Sequence, residues 1–442
     1  MSDTVTGGHS FPRFRICAKG RGSYGRATVS LTDRLSVQVA SNLDAAFASG
    51  LPKHIGIAVS GGGDSMALLH LTRAWASVRD VTLSAITIDH NLRDGSAEEA
   101  AHVAQWCADM DVAHTTCVWR DWDRNGNLQD AARQARYRMI NDWRVDIEHI
   151  LIGHTLDDQA ETLLLRLKRG SGVDGMTGMK HVTPHPSGMT LIRPLLNITR
   201  QDLREYLVAC DQPWFDDPSN DNAAFDRIAM RQLLPQLTSA GISVDRFALM
   251  ATHMQRAQDA LDHTAGDVFQ NIGRQQGTDL IFDQAGFFAA HSEIQSRLLS
   301  AGLCWISGNA YRPRFEALQR ALSDVQDGKT SSLHGCLIYP HKNTLRITRE
   351  FAATQGSADQ TVWDGRWQGI NLTAEHSVQA LGEHGAAQLD SDLRKNVPFR
   401  SLHVQPAVFL GDQLIYAPTL DRTQRQFIQD LRINFIDFIT SH

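Results

Sequence analysis

The sequence predicts an α/β protein: a doubly wound parallel sheet, then a helical unit, then a small α+β C-terminal unit. Three observations carry this expectation. From residue 54, short apolar runs alternate with segments of helical periodicity, which is how parallel strands joined by crossover helices read in a sequence. A glycine-rich break, Ser60-Gly61-Gly62-Gly63-Asp64-Ser65, separates the first such run from the first helical segment. The chain of 442 residues is too long for one ordinary core and predicts two or three units.

Taken in order, "HIGIAVS" (54–60) is the first strand, and the segment 65–78 carries Met66, Leu69 and Leu68, Leu71, Trp75 at helical spacing. "VTLSAITID" (81–89) is a second buried strand. "SAEE" (96–99) has the form of a capping box opening a helix that runs to about Met110. A third strand, "VAHTTCVW" (112–119), precedes a helix over 127–143, and "HILIGH" (149–154) is a fourth strand leading into a helix over 157–170. Open sheets of this kind bind ligands beyond the carboxyl ends of their strands, and Ser60, Asp89 and His154 each fall at such an end. Further on, Phe247, Met250, Met254, Ala257, Leu261 and Val268 form one stripe of a helix over 244–270, read as a core face. From about 330 strand signals return, with Gly411-Asp412 placed as a hairpin turn in "AVFLGDQLIYAP". The expected units are 1–30, a disordered extension; 31–235, the sheet domain; 236–325, a helical domain; and 326–442, a β-rich domain.

Composition limits the function classes. With 42% apolar and 21% charged residues the chain is globular, and no stretch approaches the ~18 uninterrupted apolar residues of a membrane helix. A net charge of −6 excludes a strong overall positive field, so any nucleic-acid surface must be local. The six cysteines are scattered, without a C-x-x-C pair, which fits a reducing cytoplasm. Residues 1–30 are rich in Gly, Ser and Arg; an organellar transit peptide shares this composition but is the weaker reading.

Glycines between a strand and a helix let the backbone approach a ligand, and the exposed amides of the helix start then face an anion. Gly61, Gly62 and Gly63 have this placement, with Ser60 and Ser65 flanking them. The loop lacks the Gly-Lys-Ser/Thr ending of a Walker A motif and the spacing of a dinucleotide fingerprint. A carboxylate, Asp64, sits beside the expected phosphates. Either it caps the helix, a task Ser65 could also serve, or it meets the phosphates through a divalent cation.

"SGGGDS" resembles the S-G-G-x-D-S loop of the PP-loop ATP pyrophosphatases. Within that superfamily, "DHNLR" (89–93), "ARQARYRMI" (132–140), "GHTLDDQAETLLLRLKRGSGVDGM" (153–176), "RPLL" (193–196) and "DDPSNDNAAFDRIAMRQLLPQL" (216–237) resemble the tRNA(Ile)-lysidine synthase family, in the expected order. "PFRSLHVQPAVFLGDQLIYAP" is similar to that family's C-terminal domain.

The resemblance implies an ATP-dependent ligase. It would adenylate the carbonyl at position two of the first anticodon cytidine of a tRNA(Ile) with a CAU anticodon. The amine of free L-lysine would then displace AMP. It implies that Asp64 and Asp158 share Mg²⁺, with Asp157 assisting, and that His154 bonds a phosphate or acts as an acid. It places Asp89 on the adenosine. Arg227 and Arg231, one helical turn apart, would hold phosphate of ATP or tRNA. The family usually has asparagine after the first of these arginines, where this chain has Ile228. Arg133, Arg136, Arg138, Arg166, Lys168 and Arg169 are candidates for contacts to a tRNA backbone, with Arg93 as a surface charge. The resemblance also allows a homodimer.

Each placement has a plainer structural counterpart. The Asp157-Asp158 pair would compensate a helix dipole, His154 would be a satisfied core histidine, and the basic groups would be solvated helix faces. Three other functions use part of the same text, and one of them, an NAD or GMP synthetase-type amide former, would keep the SGGxDS loop but not the "DDPSN" segment. A PP-loop tRNA thiolase would normally need paired or catalytic cysteines, and a non-catalytic tRNA-binding protein would not need Asp64 and Asp158.

Overall fold

The computed structural model describes residues 30–91, 95–120, 122, 128–216, 226–309, 311–354, 362–370, 372–395, 397–417, 419–420 and 427–440. The expected N-terminal extension, Arg93 and the "DPSN" loop lie outside these residues.

The chain enters through helix α1 (Leu31–Ala46), capped by Ser30, which the periodicity argument did not find. Then come β1 (His54–Ala58), α2 (Gly63–Ala76), β2 (Thr82–Asp89), α3 (Ser96–Asp109), β3 (Ala113–Val118), α4 (Leu128–Trp143), β4 (His149–Ile152) and α5 (Leu156–Lys168). A short α6 (Val173–Met176) leads to the hairpin β5 (Val182–Pro184) and β6 (Thr190–Ile192), then α7 (Arg200–Ala209) and α8 (Asp226–Ser239). The sheet order is β3-β2-β1-β4-β6-β5, parallel except for the β5–β6 pair. Successive strands move outward from β1 to β3, then the chain returns and places β4 on the other side of β1. The crevice between the ends of β1 and β4 is therefore a topological switch point, where such sheets bind ligands.

Ile55, Ile57, Leu68, Leu69, Trp75 and Leu151 are buried in the main core between this sheet and helices α1, α2 and α7. The expected capping box at Ser96 is not what starts α3. Gly95, in the left-handed region at φ 87°, occupies the N-cap, and no side-chain cap bond forms.

The long helix α9 (Val244–Ile272) joins the sheet domain to the next layer. The apolar stripe predicted on it does face cores: Phe247, Met250 and Met254 pack with α5 and α8, and Leu261 and Val268 pack with the following unit. That unit is not purely helical. After β7 (Gly273–Gln276), β8 (Asp279–Asp283), α10 (Gln284–Ala289), α11 (Ser292–Ser307) and α12 (Phe315–Gln326) come β9 (Ser331–Leu333), β10 (Cys336–His341) and β11 (Thr344–Arg349). All five strands form one sheet in the order β7-β8-β11-β10-β9. The boundary expected near 325 cuts through this sheet, because β8 pairs with β11 across it. We place the boundary after β11 instead.

The remainder carries two three-stranded sheets. Gly411, at φ 58°, turns the hairpin of Pro406–Leu410 and Gln413–Tyr416, as its sequence suggested. The last helix, Phe435–Thr440, returns to bury Phe435 and Ile439 against α9 and α11.

Candidate active site

Three elements meet at the switch point. The first is the glycine loop. Gly61 adopts φ +83°, and a Cβ there would lie 2.9 Å from Val103 Cγ2, so the position excludes a side chain. Ser65 Oγ accepts from the Ser60 N–H at 3.1 Å and donates to the Gly62 carbonyl at 2.9 Å, tying the loop to the start of α2. Gly62 is the N-cap without a side-chain bond, so neither Asp64 nor Ser65 caps this helix. Phe215 covers the loop from the far side, donating its N–H to the Gly61 carbonyl at 2.9 Å.

The second element is the end of β4. Gly153 is required there by close approach: a Cβ would stand 3.1 Å from the Asp64 carbonyl oxygen and 3.2 Å from Ser65 Cα. Beyond it, Thr155 and Asp158 form a true capping box at the start of α5. Asp158 Oδ2 accepts from the Thr155 N–H and hydroxyl, both at 2.8 Å.

The third element is a set of arginines on α7 and α8. Arg200 Nε donates to Asp64 Oδ2 at 3.0 Å, and its Nη2 reaches Asp158 Oδ1 at 3.4 Å. Arg227 donates to Asp158 Oδ1 and Glu161 Oε2, each at 2.8 Å. Arg231 donates to Glu161 Oε1 at 2.8 Å. Asp157 Oδ2 accepts the Arg200 backbone N–H at 2.7 Å.

These side chains form one network of acids and guanidiniums. Glu161 is wholly buried and Asp158 nearly so. Burial acts to raise the Asp158 carboxyl, but Arg227 and Arg200 outweigh it and hold it below the usual carboxylate range. Asp64 goes the other way. Burial pushes its carboxyl up against the pull of Arg200, and its Oδ1 is buried without a hydrogen-bond partner. Arg193 Nε donates to His154 Nδ1 at 3.1 Å, which leaves the His154 proton on Nε2. Burial and the nearby arginines hold that imidazole down to about 4, although Asp158 pulls it up. At neutral pH it is therefore a neutral donor, and an imidazolium acid role is disfavoured.

Asp64, Asp158, Arg227 and Arg231 are thus joined through Arg200 and Glu161 in one network, Asp64 standing directly after the glycine loop and His154 close enough to Asp158 to feel its charge. Asp89 ends β2 and is buried, with Oδ1 accepting the Asn91 N–H at 2.8 Å. Ile228 turns inward from α8 and is buried. Of the basic groups, Arg166 is structural, donating to the Gly175 and Gly178 carbonyls at 2.7 and 3.0 Å. Lys168 pairs with Asp226 at 2.7 Å. Arg133, Arg136, Arg138 and Arg169 are exposed.

Sequence reasoning missed Glu161, Arg193 and Arg200. Glu161 had a signal, since it stands three residues after Asp158 on the same helical face.

A glycine loop at the switch point of a parallel sheet, with carboxylates facing it from the neighbouring strand end, defines an ATP-using α/β domain. Residues 35–237 match the PP-loop domain family. A tRNA(Ile)-lysidine synthase of Ruegeria pomeroyi is 39% identical over 86% of this chain and 91% of its own length. One of Wolbachia pipientis wMel is 32% identical over 77% of this chain and 80% of its own. Among solved structures, the U34-tRNA thiolase NcsA from Methanococcus maripaludis aligns over 51% of this chain and 78% of its own, with 15% identity and a TM-score of 0.45. The chain belongs to the tRNA(Ile)-lysidine synthase family.

Proposed function

We infer that the protein is a ligase that joins L-lysine to the first anticodon cytidine of a tRNA(Ile) bearing CAU, using ATP and releasing AMP and pyrophosphate. Family membership supports the reaction. The observation that supports its assignment to this crevice is the meeting of the glycine loop with Asp64 and Asp158.

The chemistry follows from the groups present. The cytosine carbonyl is a poor leaving group. Its oxygen attacks the α-phosphorus of ATP, and pyrophosphate departs. The lysine amine then attacks the same carbon, AMP leaves, and the amine proton is lost to solvent or a carboxylate. The amides at the start of α2 would receive the phosphates. Asp64 fits a divalent cation, because its Oδ1 is buried and unpaired. Asp158 fits less simply, since both its oxygens are engaged by Thr155, Arg200 and Arg227. Among the described residues no group of three or more His, Cys, Asp or Glu is placed to hold a metal. Mg²⁺ does not require one, as it binds through one or two carboxylates plus phosphate oxygens and water. When bound, the cation would neutralise charge on the departing pyrophosphate. Arg227 and Arg231 would turn from Glu161 toward phosphate, and the Nε2–H of His154 would donate to an oxygen.

A cleft of about 530 Å³ opens beside this network, lined by Asp157, Glu161, Arg200, Arg231, Leu234 and Val244 among others. Carboxylates for an amine, guanidiniums for a carboxylate and an apolar wall for a methylene chain suit free lysine. Asp89 would hold the adenosine. Arg133, Arg136, Arg138 and Arg169 would contact the tRNA backbone. Among the described residues no helix is long and apolar enough to cross a membrane. We place the reaction in the cytoplasm, in keeping with five free thiols among the described residues; a homodimer would be tested by sedimentation.

The test is nucleotide turnover. ATP should give AMP and pyrophosphate only when the CAU transcript is present, and Asp64→Asn should abolish it. ADP as product, or turnover without tRNA, would overturn the assignment. Uptake of labelled sulfur would favour the thiolase.

A further inference from the structure

Arg200 stands where electrostatics disfavour a cation. It is the first residue of α7, at the positive end of that helix's dipole. Its side chain is nonetheless mostly buried, and its three guanidinium nitrogens face three different acids: Nε to Asp64, Nη2 to Asp158 and Nη1 to Glu161, the last at 3.6 Å. The backbone N–H, one of the donors a helix start leaves free, is taken by Asp157.

The acids do not depend on it equally. Asp158 and Glu161 also hold Arg227, and Glu161 holds Arg231 as well. Asp64 has Arg200 as the one hydrogen-bond partner of its carboxylate among the described residues. One oxygen is fixed by the guanidinium and the other is buried and unpaired at the glycine loop. A planar fork anchored at its own backbone fixes the rotation of a carboxylate, which a point charge on a flexible stem does not.

We propose that Arg200 is a positioning residue for the divalent cation that accompanies ATP: it grips Asp64 Oδ2 so that Oδ1 is presented to the cation. The proposal deepens the reading of Asp64 given above and rests on it. The same geometry has a rival account, in which Arg200 is a surrogate cation that the metal must displace. The two differ in sign. Losing a positioning group weakens metal–nucleotide binding, whereas losing a competitor strengthens it.

The experiment titrates Mn²⁺ with a non-hydrolysable ATP analogue into the full-length protein and its Asp64→Asn, Arg200→Gln and Arg200→Lys variants. Calorimetry gives the affinity, and the electron paramagnetic resonance spectrum of Mn²⁺ reports its ligand geometry. Arg200→Gln should bind the pair at least tenfold more weakly, with an altered Mn²⁺ spectrum. Arg200→Lys, which keeps a charge among the acids if the glutamine variant fails to fold, should recover only part of the affinity. In turnover, the KM for ATP should rise more than kcat falls. Equal binding in the arginine variants overturns the proposal, and tighter binding overturns it in favour of a surrogate cation. Wild-type binding by Asp64→Asn would instead remove the metal reading on which the proposal rests.

Discussion

Gly153 shows how a single missing atom shapes the site. A Cβ on it would meet the backbone of Asp64 and Ser65 at 3.1 to 3.2 Å, so a methyl group there must push the end of β4 away from the glycine loop. Gly153→Ala should lower affinity for an ATP analogue at least tenfold by calorimetry, while the protein stays folded. His90 carries a second prediction. Burial, then Arg136, hold its imidazole down to about 4, well below the usual histidine range, although Asp89 pulls it up. A group depressed in this way is neutral in the fold, so its contribution is intact above pH 6.5 and is lost as pH falls toward 4. His90→Gln should therefore lose less stability than the wild type between pH 7 and pH 4.5, read as the shift in urea midpoint. An equal loss in both would show that the fold does not depress the His90 imidazole.

At the scale of elements, α5 and α8 are joined by Glu161 with Arg227 and Arg231. Glu161→Gln leaves both guanidiniums short of charge in a partly buried setting, which should cost about 2 kcal/mol of stability, allowing for their exposure to water. Urea unfolding of the variant checks this. The strands β1 to β4 and the helices between them were legible because buried parallel strands and amphipathic helices write strong periodic patterns. His154 was legible because the fold class fixes where strand ends meet, Asp64 because it follows the glycine loop, and Asp158 only through the resemblance of its stretch to a known family. Arg200 and Arg193 were not, since they reach the crevice from a later helix and a short hairpin whose position the periodicity of the chain does not encode. The cap of α3 was misread for a local reason: Gly95 can adopt the left-handed conformation that a serine box does not require.

At the scale of the whole molecule, the domain division failed where long-range pairing decided it. Strands 273–283 and 331–349 are separated by three helices, and only tertiary structure shows that they share one sheet. The C-terminal helix closes the same core, with Phe435 against Phe269 and Trp305 at ring separations of 4.7 and 5.9 Å. Phe435→Ala should cost ~3 to 5 kcal/mol by denaturant unfolding, the range for a buried aromatic removed from a packed core. That loss would show that the end of the chain stabilises its middle unit.

The central claim is that this crevice ligates lysine to one particular cytidine. Incubating the protein with ATP, Mg²⁺ and radiolabelled lysine tests it most directly, using transcripts of tRNA(Ile) and tRNA(Met) that share the CAU anticodon. Label should enter the isoleucine transcript, at the first anticodon position, and be lost with Asp64→Asn. Equal labelling of both transcripts, or none of either, would contradict it.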